Sequence, residues 1–191
     1  PDGYYRQAKA EGFAARSVFK LTELDGKFRL FRAGQRVLDL GASPGSWMQY
    51  IAGRVGEKGS VFAIDLNPLR AGMPANCGFL QADILSVRSE DLEGPFDVVA
   101  SDLAPKTTGN REGDHARSVE LCRKALELAT TCLVPGGSFV CKMYQGEESP
   151  AFLSELRKLF KTAKTQKPAA SRSESRELFF VGIGFEIPRV R

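Results

Sequence analysis

Four charged residues occupy positions suited to proton chemistry. Lys142 directly follows the apolar run SFVC (138–141), and Asp102 closes FDVVASD (96–102). Lys20 lies in ARSVFKL (15–21), and Glu177 opens ELFFVGIGF (177–185). An unpaired ammonium is costly to bury, so a lysine ending an apolar strand calls for an acidic partner. Two arrangements meet that need. One is a pair of salt bridges that tie an N-terminal helix and the last strand to a sheet. The other is a catalytic cluster in which a lysine and an acid activate or orient a hydroxyl.

A second set consists of acids at strand ends: Asp39 in RVLDL (36–40), Asp65 in SVFAID (60–65), Asp83 in CGFLQAD (77–83), and Asp102 again. Ligands of open α/β sheets bind beyond the carboxyl ends of the strands. Any one of these acids could simply cap a turn or a helix. As a set they outline a site along one sheet edge. Between the first strand and the next helix runs DLGASPGSW (39–47), a tight turn carrying Gly41 and Gly45. Small residues let the backbone approach a ligand closely. Neither GxGxxG nor GxxxxGK[ST] occurs, so the turn lacks the fingerprints that cradle phosphates. A ligand without phosphates fits better, and S-adenosyl-L-methionine, with its sulfonium and amino-acid tail, is such a ligand. Asp39 is then placed to partner the ammonium. Asp65 could accept from both ribose hydroxyls and Asp83 from the adenine amino group.

The elements that must position these residues alternate. Short apolar runs at 36–40, 60–65, 77–83, 96–102 and 138–142 read as strands. A helix is expected over Ser46–Arg54. Another follows the fourth strand, where Val119, Cys122, Ala125, Leu126, Ala129 and Leu133 recur at helical spacing. A helix over 150–159 begins with Pro150, a residue suited to the first turn. Residues 161–167 form a sixth strand, KPAASRSESR a loop, and 177–185 the last strand. The turn Pro135–Gly136–Gly137 precedes the fifth strand. Alternation of this kind implies a largely parallel sheet with helices on both faces.

Composition narrows the class. With 191 residues, 42% of them hydrophobic, the chain suits one folded domain, 1–191, with a basic helical segment at about 4–30 packed on it. It contains no apolar run of about 18 residues, so no membrane partner is expected. Cys77, Cys122, Cys132 and Cys141 form no CxxC pair and there is one histidine, which argues against a metal site. Reduced thiols, a monomer and a cytoplasmic location are expected. The net charge is only +4, but it is unevenly spread. Arg6, Lys9, Arg16, Lys20, Lys27, Arg29 and Arg32 crowd the beginning, and Arg157, Lys158, Lys161, Lys164, Lys167 and Arg172 form a second cluster. If folding unites them, they create a field suited to a polyanion. Tyr4, Tyr5 and Phe13 could stack on bases, although Phe13 suits a core equally.

Taken together, ARSVFKL (15–21), VLDLGASPGSW (37–47), SDLAP (101–105), PGGSFVCKMYQG (135–146) and KPAASRSESRELFFVG (167–182) resemble the FtsJ/RrmJ family of RNA ribose 2'-O-methyltransferases. The resemblance runs from Tyr4 to about Phe185. It implies a Rossmann-like methyltransferase fold with a seven-stranded, largely parallel sheet and an antiparallel last strand. It also implies a catalytic tetrad of Lys20, Asp102, Lys142 and Glu177, and cofactor residues Gly41, Pro44, Gly45, Trp47, Asp65, Asp83 and Asp102. The compact segment between Asp83 and Ser101 and the loop 106–114 look similar to archaeal members.

On this resemblance the expected substrate is a uridine of large-subunit ribosomal RNA, free or in the assembled subunit. Arg6, Lys9, Arg16, Lys164, Lys167 and Arg172 are the expected RNA contacts. Lys142 could serve as a neutral base or as a charged group that orients the alkoxide. A tRNA 2'-O-methyltransferase, a small-molecule O-methyltransferase and a non-catalytic RNA-binding module are the alternatives.

Overall fold

The computed structural model describes residues 3–172 and 174–187. Its elements are α1 (Gly3–Ala10), α2 (Val18–Phe28), β1 (Arg36–Leu40), α3 (Ser46–Val55), β2 (Ser60–Asp65), β3 (Cys77–Gln81), β4 (Phe96–Ser101), α4 (Arg111–Cys132), β5 (Leu133–Tyr144), α5 (Ser149–Leu159), β6 (Phe160–Gln166) and β7 (Glu177–Phe185). Single 3₁₀ turns occur at Ile84–Ser86 and Ser89–Asp91.

The seven strands form one sheet in the order β3-β2-β1-β4-β5-β7-β6. β1 to β5 pair in parallel, whereas β7 runs antiparallel to both β5 and β6. This is the α/β architecture read from the sequence, with β7 slotted between β5 and β6. Alternation along each strand sends side chains to two cores. Leu38, Leu40, Val99, Phe139, Cys141 and Phe180 pack toward α4 and α5. Val37, Val61, Val98, Val140 and Phe179 pack toward α2 and α3. Each fully buried Leu or Phe contributes roughly 1.5–3 kcal/mol. The same alternation puts Lys142, two residues beyond Val140, on the face that carries α2 and therefore Lys20.

Two expectations need correcting. α4 begins at Arg111, eight residues before Val119, so the expected 106–114 loop ends at Asn110. Asn110 caps the helix by accepting from the Gly113 amide at 3.1 Å, and Glu112 and Asp114 suit its positive end. The strand assignment of β5 also begins earlier, at Leu133. The turn at Pro135–Gly137 survives as an irregularity inside it. Pairing with β4 jumps from Phe96–Leu133 to Val98–Ser138, leaving the intervening residues looped out. The basic segment at the start is helical and comprises α1 and α2. The expected loop at 167–176 includes Ser173, which lies outside the described residues. Among the described residues no helix is long and apolar enough to cross a membrane.

Candidate active site

The strand order creates the site. Crossovers leave β1 in opposite directions, to β2 on one side and, through the rest of the chain, to β4 on the other. A crevice opens where they part, beyond the strand ends. Gly41 makes that crevice possible. Its φ is 79°, and a Cβ there would lie 2.8 Å from the Leu103 amide nitrogen. Glycine thus lets the β1 turn close against the segment that follows β4. Gly45 starts α3 at φ 116° and packs so tightly on Ala71 that a Cβ would come within 2.8 Å of it. The Pro44 carbonyl accepts from the Arg70 and Ala71 amides, which anchors the same turn.

The crevice is a cleft of about 470 Å³. Gly41, Asp65, Asp83 and Asp102 line it together with Leu66, Ile84, Leu85 and Leu103. Asp65 accepts from the Ser43 amide at 2.9 Å and the Asn67 amide at 2.7 Å. Asp83 accepts from the Leu85 amide at 3.0 Å. Both acids therefore cap turns, and both carboxylates still line the cleft. Asp39 differs. It is fully buried, and neither carboxylate oxygen has a hydrogen-bond partner. Burial, reinforced by the negative charges of Asp102 and Asp65, holds its carboxyl well above the ordinary range. Leaving a buried acceptor unsatisfied is expensive, so this end of the sheet is built for a nearby cation or donor. That donor set fits S-adenosylmethionine. Acids suit its ribose and its cationic groups, and the leucines suit an adenine ring. Trp47 does not face the cleft. It is buried against Phe179, with ring centroids 6.1 Å apart, and its indole donates to the Ser17 carbonyl at 3.1 Å. It joins α3 to the start of α2.

The four charged residues separated by up to 157 positions do meet. The Lys142 ammonium lies 3.0 Å from Asp102 Oδ1 and 3.7 Å from Glu177 Oε1. It also donates to the Asp102 carbonyl at 3.3 Å. Lys20 hydrogen-bonds Glu177 from the other side. Only 8% of the Lys142 side chain is exposed. Burial works against its charge, but Asp102 and Glu177 outweigh that penalty and hold its pKa above the usual lysine range. Glu177 is pushed up by burial and more strongly down by Lys142 and Lys20, so it lies below the usual carboxylate range. The competition that the sequence left open resolves toward a charged Lys142.

A second cleft of about 300 Å³ opens onto Lys20 and Glu177, lined also by Arg16, Ser17, Arg172 and Ser175. Lys142 sits between the two clefts, bonded to one acid from each. The basic segments also converge here. Arg16 donates to the Ala170 carbonyl at 2.7 Å, and Glu23 accepts from the Ala169 and Ala170 amides. Lys27 bonds Gln166. Arg6, Lys9, Lys164, Lys167 and Arg172 are exposed, and Lys167 donates to the Ser175 carbonyl. Tyr4 and Tyr5 are exposed, with Arg16 5.4 Å over the Tyr4 ring, while Phe13 is partly buried.

Sequence patterns missed several residues around these clefts. Thr108, Asp114, Arg117, Tyr144 and Arg176 form one chain of contacts, and of these Arg117 lines the cofactor cleft. The Asn110 cap, which would have extended α4 back to Asp114, was the available signal.

A parallel sheet with a reversed seventh strand slotted between the fifth and sixth, and an acid-lined cleft at its switch point, defines a Rossmann-like S-adenosylmethionine-dependent methyltransferase. The chain belongs to the FtsJ-like methyltransferase family, whose model matches residues 13–185. The ribosomal RNA large subunit methyltransferase E of Nitratidesulfovibrio vulgaris is 50% identical over 190 residues, covering 96% of this chain and 94% of that one. The protein of the same description from Bdellovibrio bacteriovorus is 48% identical over 188 residues, covering 95% of each. These relatives are bacterial, so the expected likeness to archaeal members is not what these matches display. A crystal structure of a Plasmodium falciparum ribosomal RNA methyltransferase superposes with a TM-score of 0.80 at 28% identity, covering 91% of this chain and 98% of that one.

Proposed function

We propose that the protein methylates a ribose 2'-hydroxyl of large-subunit ribosomal RNA, at a uridine, acting as a cytoplasmic monomer. The observation that carries this reading is the position of Lys142 between an acid of the cofactor cleft and an acid of the basic cleft. Relatives described as large-subunit ribosomal RNA methyltransferases support the substrate. S-adenosylmethionine, when bound, supplies the electrophilic methyl group. Lys20, Asp102, Lys142 and Glu177 hold the attacking hydroxyl, and alignment with the methyl–sulfur bond supplies much of the rate.

A ribose hydroxyl attacks well only as its proton leaves. Lys142, held charged, orients the oxygen and stabilises the developing alkoxide. Asp102, paired with Lys142, is placed to accept that proton, and S-adenosylmethionine would supply the methyl group that takes its place on the oxygen. Arg6, Lys9, Arg16, Lys164, Lys167 and Arg172 attract the phosphate backbone, and the bonds of Arg16 and Glu23 to residues 169–170 bring the two basic segments together.

The test is tritiated methyl transfer to large subunits from cells lacking the enzyme, followed by alkaline hydrolysis. The label is expected in an alkali-resistant dinucleotide, because a 2'-methyl blocks cleavage at that position. Label on a base would overturn the reading. Transfer to tRNA but not to ribosomal RNA would keep the chemistry and replace the substrate.

A further inference from the structure

Asp114 is a buried carboxylate that lies outside the charged cluster and outside the cofactor cleft. Its two oxygens look in different directions. Oδ1 accepts from the Thr108 amide at 2.9 Å, from the Thr108 hydroxyl at 3.0 Å, and from Arg117. Arg117 also donates to the Thr108 hydroxyl at 3.2 Å. These bonds fix the segment that follows Asp102, in which Leu103–Lys106 wall the cofactor cleft and to which Arg117 adds a further wall. Oδ2 has no hydrogen-bond partner, but faces the Arg176 guanidinium at 3.8 Å.

Arg176 leads to the other cleft. It directly precedes Glu177. Its guanidinium lies 5.7 Å from the Tyr144 ring centroid and donates to the Arg111 carbonyl at 3.5 Å. Its carbonyl accepts from the Gln145 amide at 2.8 Å. Tyr144 and Glu177 are direct partners across β5 and β7, and Lys142 is two residues before Tyr144. Held this way, the start of β7 cannot shift without moving Glu177 away from Lys142 and Lys20.

We propose that Asp114 and Arg176 are positioning residues for methyl transfer, a single brace that fixes the wall of the cofactor cleft relative to Glu177 and Lys142. This rests on the function proposed above. Neither side chain lines the cofactor cleft or the cleft at Lys20 and Glu177. Loss of the brace therefore changes the aligned fraction of bound complexes rather than the affinity for either ligand. A misplacement of about 1 Å can cost about 100-fold in rate, so even a partial slip is measurable.

The experiment is a double-mutant cycle of Asp114→Asn and Arg176→Gln, with Arg176→Lys as the conservative variant. Single-turnover transfer is measured from tritiated S-adenosylmethionine to large subunits from cells lacking the enzyme. Kd for S-adenosylmethionine, KM for the subunits and Tm are measured alongside. Each single variant should lose roughly 10- to 50-fold in the saturated rate, with Kd and KM within about threefold. The double variant should be no slower than the slower single variant, because residues in one network do not add. Arg176→Lys should recover part of the loss. Rates within twofold of wild type, losses that multiply, or losses that follow KM would each overturn the brace. If Asp114→Asn fails to fold, Arg176→Gln and Arg176→Lys still decide it through the rate against KM. A wild-type protein that transfers no methyl to RNA would instead defeat the underlying function.

Discussion

At the Lys142 end of the active site every charge has a partner, whereas at the Asp39 end none of the acids meets a side-chain cation among the described residues. Lys20, Lys142, Asp102 and Glu177 form one chain of ion pairs. Asp39 is buried without any hydrogen bond, and Asp65 and Asp83 accept mainly from backbone amides. The first arrangement is organised before any ligand arrives, as catalysis by fixed charges requires. The second presents acceptors that suit a cationic ligand with hydroxyl donors. One end of the site is preorganised for chemistry and the other for binding.

The largest effect should come from the paired end. Lys142→Ala should lose about 10²–10⁴-fold in single-turnover transfer while keeping S-adenosylmethionine affinity. Lys142→Arg separates the two roles of the lysine. Arginine keeps the charge but does not readily give up a proton, and its planar shape fits poorly. Substantial activity would favour the charged role. The pH profile gives an independent answer. The raised Lys142 pKa means its ion pairs are intact below the ordinary lysine range and are lost as pH rises through the raised value. The lowered Glu177 pKa means its pairs are intact above the ordinary carboxylate range and are lost as pH falls through the lowered value. Between about pH 6 and pH 9 both residues are charged, and the wild-type rate should be nearly flat. A tenfold rise per pH unit would instead identify neutral Lys142 as the base.

An intermediate effect belongs to the binding end. Asp65→Ala should weaken S-adenosylmethionine by about 1.5–3 kcal/mol, the typical contribution of hydrogen bonds to a charged group. In calorimetry that is roughly 10- to 100-fold in Kd. The saturated transfer rate should change far less. Unchanged affinity would remove Asp65 from the cofactor site.

The smallest effect, and the sharpest contrast, is expected at Asp39. Its raised pKa means that the folded state is favoured while the carboxyl is neutral and loses stability as pH rises through that value. Asp39→Asn abolishes this loss. Its Tm without ligand should rise by a few degrees at neutral pH, in line with about 2–4 °C per kcal/mol in a chain of this size. Its cofactor affinity should fall a few-fold. A lower Tm would show that the Asp39 charge is already compensated in the unliganded protein.

The N-terminal ends of α4 and α3 show why only part of the site was legible. DLGASPGSW announces its turn through residue types, because Gly41 and Gly45 adopt backbone angles that side chains resist. Arg111–Ser118 carries many charges and only Ala116 as an apolar residue, so the helical spacing was first visible at Val119 and Asp114 was left in a loop. Arg176 was equally silent, since a charged residue in a polar loop shows no preference for a partner 62 positions away, and its bond to Asp114 exists only after both β7 and α4 are placed.

The sequence by itself determined the strands, the turns between them and the acids at their ends, since apolar periodicity and glycine conformations are local properties. It also supplied the four charged residues, because each stands beside an apolar segment it would not otherwise border. Tertiary structure decided that Lys142 bonds both Asp102 and Glu177, that its charge prevails over burial, and that Trp47 supports a core instead of lining the cleft. Electrostatic balance and side-chain packing depend on distances between residues far apart in the chain. Those distances are set by the sheet order, above all by the insertion of β7 between β5 and β6.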